Sequence, residues 1–402
     1  MKRVAAFVLA GGRSEGLATL TVPRSIAAVP FAGKFRLIDF TLSNCVNSEL
    51  YKVAVLTQYA PLSLSAHLGR GEPWDLNRRG GGVTLLQPYA RQEGARWYEG
   101  TADAIRQNLD VLETLGTDRV FVISTDVLCK MDYSWIFDHH RRSGAQATLA
   151  FGRVPYGEVS RFGVSHLDDQ ERIRSFEEKP AASDAPWAFM GVYLFETPYL
   201  VSLLREHPGA NLILDVLQPQ LDGDAVRAYR FEGYWDDLGT LPEYYRAHQR
   251  LLGDDPAPNL YDPEWRIYAR SAERSPVLFG VRAEVVNSLV SNGAIIAGRV
   301  ENSVLSPGVT VGRGAVVRDS ILLDGTVIGP GSRVERAIID KNVLVGAGSR
   351  IGGPDPGGPR AGLTLIGKWA ELPAESLIEQ GTVIPCGEVK TEAPRAPGGI
   401  VP

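Results

Sequence analysis

A glycine-rich loop, two aspartates and a Glu-Lys pair are the parts of this sequence whose types and positions could do chemistry. The loop is Leu9-Ala10-Gly11-Gly12-Arg13-Ser14-Glu15-Gly16-Leu17, directly after an apolar run. Glycines there let backbone N–H groups approach a phosphate or a base with no Cβ in the way. The spacing is neither G-x-G-x-x-G nor G-x-x-x-x-G-K-[ST], which disfavours a Rossmann dinucleotide site and a P-loop alike. An ordinary strand-end turn would look the same. Asp126 closes the run Val120-Phe121-Val122-Ile123-Ser124-Thr125, and strand ends are where open α/β sheets place ligands. Asp237 lies in Trp235-Asp236-Asp237-Leu238-Gly239-Thr240. Either aspartate can equally be a helix N-cap or a turn residue. Glu178-Lys179-Pro180 sets an acceptor for hydroxyls beside an ammonium for an anion, or is a surface ion pair.

These residues need a scaffold. Val4–Leu9, Lys52–Leu56, Arg119–Ser124 and Ala147–Arg153 read as buried strands, and residues 103–115 and 135–143 as helices. The alternation predicts an α/β domain over residues 1–250, with a mixed, mostly parallel, Rossmann-like sheet covered on both faces. A linker at 251–275 contains Gly253-Asp254-Asp255-Pro256-Ala257-Pro258-Asn259, which cannot propagate a helix. Beyond Ser275 the period becomes six. Val309, Ile321, Val327, Ile339, Val345 and Ile351 keep step, Ala315 and Arg333 fill the two intervening places, and glycines recur from Gly308 to Gly348. That period predicts a left-handed parallel β-helix of hexapeptide repeats over 276–390, each hexad one flat side with its apolar residue inward. Residues 354–358 read as a loop interrupting the coil, 363–389 as a last turn or cap, and 391–402 as a loose tail.

Composition narrows the class. Apolar residues are 44% and charged residues 22%, ordinary for a globular chain of 402 residues. A net charge of −5 supplies no basic field for nucleic acid or anionic lipid. Cys45, Cys129 and Cys386 are odd in number and widely spaced, which argues against a disulfide framework and for a reducing, cytoplasmic setting. The first apolar run stops at Gly11 and reads as a strand rather than a signal peptide. No run approaches the ~18 apolar residues of a membrane span.

Many segments, in order, resemble the bacterial ADP-glucose pyrophosphorylases (glucose-1-phosphate adenylyltransferases). They include Leu9-Ala10-Gly11-Gly12, Pro30-Phe31-Ala32-Gly33-Lys34-Phe35-Arg36, Leu56-Thr57-Gln58-Tyr59 and Trp97-Tyr98-Glu99-Gly100-Thr101-Ala102-Asp103-Ala104. Phe162-Gly163-Val164, Glu178-Lys179-Pro180, Met190-Gly191-Val192-Tyr193 and Trp235-Asp236-Asp237 continue the match. The resemblance implies attack by a phosphate oxygen of glucose 1-phosphate on the α-phosphorus of ATP, giving ADP-glucose for α-glucan (glycogen) synthesis. It implies Mg²⁺ held by Asp126 and Asp237, which with Lys179 form the catalytic set. It puts glucose 1-phosphate at Gly163, Glu178 and Lys179, and the nucleotide at Leu9, Ala10, Gly11, Gly12, Tyr98, Gly100 and Thr101. It also implies an allosteric tetramer. The family's base-contacting glutamine has no secure counterpart: Gln87 is nearby, but Tyr89-Ala90-Arg91 stands where a Gln-Gln-Arg run often occurs.

The sequence departs from the family where the family carries charge. Its loop arginine is Gly16 here, beside Glu15; a phosphate-facing lysine is Ile26; a lysine of Asp-Phe-Gly-Lys-Asp is Leu214. A serine of the sugar pocket is Phe189, and the glycine before Asp126 is Thr125. Losing one charge partner of a transition state costs about 10²–10³ in rate. Two readings follow: an active adenylyltransferase, or a catalytically impaired regulatory or structural subunit in a homo- or hetero-tetramer with a paralogue. On the second reading, Gly16→Arg with Ile26→Lys would restore some rate. A hexapeptide acyltransferase is disfavoured, because all six histidines precede the linker.

Overall fold

The computed structural model describes residues 1, 3–91, 94–154, 158–221, 223–270, 273–354 and 362–388; the tail from 391, and the loop expected at 354–358 apart from Pro354, lie outside the described residues. In chain order the elements used below are β1 (Val4–Leu9), α1 (Leu37–Asn47), β2 (Lys52–Leu56), α2 (Pro61–Leu68), β3 (Gly82–Leu86), α3 (Thr101–Arg106), α4 (Leu109–Thr114), β4 (Arg119–Ser124), β5 (Val127–Cys129), α5 (Tyr133–Ser143), β6 (Ala147–Arg153), β7 (Gly163–Ser165), β8 (Glu177–Glu178), β9 (Trp187–Glu196), α6 (Thr197–Glu206), β10 (Val226–Phe231), β11 (Trp235–Asp237) and α7 (Leu241–Arg250). The chain divides into two compact units. The first holds Met1–Gly12, Leu37–Asp237 and Tyr261–Tyr268; the second holds Arg13–Arg36, Leu238–Leu260 and the described residues from Ala269 onward.

The first unit is built on a nine-stranded sheet in the order β8-β7-β9-β4-β1-β2-β3, with β6 joined to β9 and β10. Strands β3, β2, β1 and β4 run parallel, the Rossmann-like half of the sheet. Strand β9 is antiparallel to β4 and carries the sheet onward to β7 and β8. The four strands read from the sequence have the ends expected of them. They are runs of Val, Ile, Ala, Leu and Phe whose side chains are buried on both faces, as strands covered on both sides require. A separate two-stranded ribbon, β5 with β11, stands outside the large sheet.

The helix expected over 103–115 is broken in two. Asn108 explains the break: its Nδ2 donates to Ala104 O at 2.8 Å and to the Tyr98 hydroxyl at 3.0 Å. A side chain thus takes acceptors that a continuous helix would give to backbone donors. Helix α5 begins at Tyr133, two residues earlier than expected. Asp132 caps it by accepting from Ser134 N at 2.8 Å, and Gly144 ends it at φ +66°.

The second unit is the left-handed β-helix, with three six-stranded parallel sheets as its sides. Its inward residues do not keep a strict period of six. Val327 is only half-buried while Ile328 is buried, and Arg333 is exposed while Val334 is buried. The reason is rung length. Val300, Val317, Val334 and Ile351 stack in register every 17 residues, one short of three hexads, so the inward position slips by one. The exposed Arg333 marks that slip. Corner residues adopt positive φ, including the column Asn287, Asn302, Asp319 and Arg336. Gly308 and Gly314 also turn there, where a Cβ would be strained.

Two buried histidines make acid stability testable. His248 accepts from Ala32 N at 3.1 Å through Nε2, while its Nδ1 bonds Tyr244 O at 2.8 Å. Burial pushes it down to about 4, and does the same to His140 in the first unit. Both folded values lie below the unfolded value of 6.5, so below that pH only the unfolded chain takes up these protons. Stability should therefore fall as pH drops from 6.5 towards 4, with His248 alone contributing ~1.4 kcal/mol per pH unit. Urea titrations at pH 7 and pH 5 measure this, and His248→Gln should flatten the slope. An unchanged slope would refute it.

Candidate active site

All the site residues read from the sequence fall in the first unit. The loop after β1 runs beside the end of β2. Ala10 N donates to Leu56 O at 2.8 Å and Tyr59 N to Gly11 O at 3.3 Å. A Cβ at Gly11 would lie 3.1 Å from Gln58 N, so the close approach needs glycine or a shift. Leu9 O accepts from the Thr125 hydroxyl at 3.0 Å, tying the ends of β1 and β4 together. Thr125, which departs from the family, therefore has its own structural work.

Gln58 holds the second nucleotide-side segment. Its Oε1 accepts from Tyr98 N at 2.5 Å and its Nε2 donates to Tyr98 O at 3.1 Å. The Tyr98 ring packs on the core and its hydroxyl is tied to Asn108. Burial raises its phenol above the ordinary value. Gly100 is required by packing, since a Cβ would sit 2.5 Å from Ala210 O. The Thr101 hydroxyl accepts from Leu212 N at 2.9 Å.

Asp126 follows the carboxyl end of β4, two residues beyond Ser124, which pairs with Leu9. Residue 127 then starts β5, and Val127 pairs with Asp237 of β11. The ribbon thus brings Asp237 into register one residue from Asp126. Burial pushes the Asp126 carboxyl up, and the Lys179 ammonium opposes that. Tyr193 is buried and raised, chiefly by desolvation and then by the charges of Glu178 and Asp126. Asp126 thus feels the Lys179 ammonium, and Tyr193 feels the charges of Glu178 and Asp126. On the sheet edge Gly163 pairs with Glu178, and a Cβ at Gly163 would lie 2.5 Å from Phe176 Cζ and 2.9 Å from Glu178 Oε2. Lys179 takes left-handed backbone at φ +46°, held by its N–H donating to Phe162 O at 2.9 Å. A non-glycine residue in that region is stored strain, of the sort found at ligand sites.

The donor set can be tested against a cation. Among the described residues no group of three or more His, Cys, Asp or Glu is placed to cage an ion. Two carboxylates with the remaining positions left to phosphate oxygens and water is the way Mg²⁺ is usually held. The residues fit it.

Sequence reasoning missed three contributors. Tyr193 and Gln58 were read only as motif members, and Arg161, which bonds Asp237, not at all. The signal for Arg161 was its place, two residues before Gly163.

The departures prove to be packing positions. Phe189 lies on Phe151 at 5.8 Å and Tyr193 at 4.7 Å between ring centroids, half-buried. Leu214 packs on the core of the first unit, and the Asn211 side chain caps its segment by accepting from Ile213 N and Leu214 N. In the second unit, Ile26 is 7% exposed. Gly16 has Gly239 O only 2.5 Å from where a Cβ would stand, and Ser14 Oγ donates to that same oxygen. The rescue expected from Gly16→Arg with Ile26→Lys thus meets a steric obstacle. An arginine at 16 fits only if its surroundings shift, and a lysine at 26 places an ammonium at a buried position, which is costly. The double variant should lower the melting temperature and not raise pyrophosphate release. A gain in rate, read in parallel with a melting curve, would show that the loop can rebuild around Arg.

The first unit's sheet, with its β-helix companion, defines a class. Residues 5–253 match the family model described as nucleotidyl transferase, and residues 278–357 match that described as GlmU-like, C-terminal hexapeptide. Glucose-1-phosphate adenylyltransferase of Clostridium acetobutylicum is 42% identical over 325 residues, covering 79% of this chain and 85% of that protein. The enzymes of the same name from Geobacillus stearothermophilus and Thermosipho africanus are 43% and 42% identical, covering 79% of this chain and 84% and 78% of theirs. The chain belongs to the glucose-1-phosphate adenylyltransferase family of nucleotidyl transferases. Nothing in these matches favours the impaired-subunit reading.

Proposed function

We propose that the chain makes ADP-glucose and pyrophosphate from ATP and glucose 1-phosphate. The observation that carries this is convergence on the carboxyl ends of β1 and β4. The glycine loop, Asp126, and the ribbon bearing Asp237 meet there, with Lys179 acting electrostatically on Asp126, and Glu178 and Asp126 on Tyr193. In open α/β sheets that crevice is where ligands bind. The backbone N–H groups of Gly11 and Gly12, and the Tyr98-to-Thr101 segment, receive the nucleotide. Glu178 accepts from sugar hydroxyls and Lys179 neutralises the sugar phosphate. Held in line, a phosphate oxygen of glucose 1-phosphate bonds to the α-phosphorus as the bond to pyrophosphate breaks. Catalysis here is positioning and charge neutralisation. Asp126 and Asp237 would hold Mg²⁺, which supplies positive charge to the phosphates when bound.

Residues 1–250 serve as the catalytic domain on this reading, and 276–390 as the β-helix of a tetramer in the cytoplasm. No helix among the described residues is long and apolar enough to cross a membrane. Purified protein with Mg²⁺, ATP and glucose 1-phosphate should release pyrophosphate at about one turnover per second or faster. Folded protein that releases none, at any substrate concentration tried, would overturn the proposal.

A further inference from the structure

Strand β11 has three residues and, among the described residues, pairs only with β5, so the ribbon that carries Asp237 is outside the nine-stranded sheet. An isolated two-stranded ribbon is marginal in water. Something else must fix it if Asp237 is to stand at a set distance from Asp126. Trp235 Nε1 donates to Arg153 O at 3.3 Å, and three consecutive residues, 161 to 163, hold the rest. Arg161 Nη2 donates to Asp237 O at 2.9 Å and comes within 3.8 Å of Asp237 Oδ2. Its Nη1 is held by Glu158 Oε2 at 3.3 Å. The ring of Phe162 meets Trp235, two residues before Asp237, edge-on at 5.1 Å. Phe162 O accepts from Lys179 N, and Gly163 pairs with Glu178. One short segment thus grips the carboxylate ribbon with its first two residues and the Glu-Lys strand with its last two.

We infer that Arg161 is a positioning residue, which holds Asp237 in place and links it mechanically to the sugar-phosphate arm. The inference rests on the adenylyltransferase reading above. The side chains of Arg161 and Asp237 are 21% and 24% exposed, so the contact is shielded from most solvent competition. A guanidinium suits the task because its planar fork can hold Glu158 and the Asp237 carbonyl at once. A lysine ammonium could hold one well but not both in fixed geometry. The backbone carbonyl, not the carboxylate, takes the short hydrogen bond, so Arg161 fixes the strand while reaching the carboxylate only at longer range.

The variants Arg161→Gln and Arg161→Lys test this. Losing the residue that orients a metal ligand typically costs about 10–100-fold in metal affinity. Arg161→Gln should raise the half-saturating Mg²⁺ concentration by about that factor, and the KM for glucose 1-phosphate with it, while the KM for ATP stays near wild type. Arg161→Lys should fall between. A second readout needs no turnover: the rise in melting temperature given by ADP-glucose, titrated with Mg²⁺, should need more Mg²⁺ in Arg161→Gln, with the unliganded melting temperature unchanged. An active wild type whose Arg161→Gln variant keeps its Mg²⁺ requirement sinks this inference alone. So does a variant whose unliganded melting temperature falls while all kinetic constants shift together, since that is a scaffold role. A wild type that neither releases pyrophosphate nor is stabilised by ADP-glucose sinks the activity reading and this inference with it.

Discussion

Asp126→Asn should lower kcat for pyrophosphate release by about 10²–10³ while leaving the melting temperature close to wild type. The substitution keeps the shape and removes one negative charge. Burial already disfavours that charge, and Lys179 partly offsets the cost. A half-buried carboxylate kept at a strand end, against its own desolvation, stabilises the fold little, and a bound cation would offset that cost. Removing it should therefore relieve the protein slightly and damage the chemistry greatly. Lys179→Ala should instead act mainly on the KM for glucose 1-phosphate. Because Asp126 and Asp237 would share one ion, the double Asn variant should be little worse than either single. Steady-state pyrophosphate release and melting curves on Asp126→Asn, Asp237→Asn, the double Asn variant and Lys179→Ala measure all of this. Multiplying losses would mean that the two carboxylates act separately and share no ion.

Much of the first unit was legible because its signals are local. Four apolar runs gave four strands, and a glycine pair after the first marked the loop that opens the crevice. What stayed hidden was set by partners distant in sequence. Arg161 looks like any surface arginine until β11 arrives 76 residues later to present Asp237 O. The 103–115 helix has good helical content, and nothing adjacent reveals that Asn108 will spend its amide on Ala104 O and Tyr98. The packing around the departures stayed hidden for the same reason. Gly16 and Ile26 read as lost charges, and the structure adds that a carbonyl oxygen stands where a Cβ of residue 16 would go and that Ile26 is buried. In the β-helix the period was legible but its phase was not. From Val300 to Ile351 the rung is 17 residues, and only Val327 and Arg333, falling out of phase, show it.

Arg24 and Asp340 illustrate the limit best, and they carry the largest expected effect on stability. They lie 316 residues apart and bind through two parallel hydrogen bonds of 3.0 Å each. Their side chains are 2% and 0% exposed, the Asp340 carboxylate also accepts from Lys341 N at 2.7 Å, and its carbonyl accepts from Thr326 Oγ1 at 2.9 Å. Within the second unit this pair fastens the segment Arg13–Arg36 to a rung of the β-helix. Asp340→Leu or Arg24→Leu should each destabilise by about 3–5 kcal/mol, because each leaves a buried charge without its partner. The pair together should behave differently. Desolvating two ions offsets most of their attraction, so Arg24→Leu with Asp340→Leu should lie much closer to wild type than the sum of the singles. Urea midpoints on the four proteins decide it. Additive losses would show that each side chain stabilises through separate contacts, and that the bond between them contributes nothing of its own.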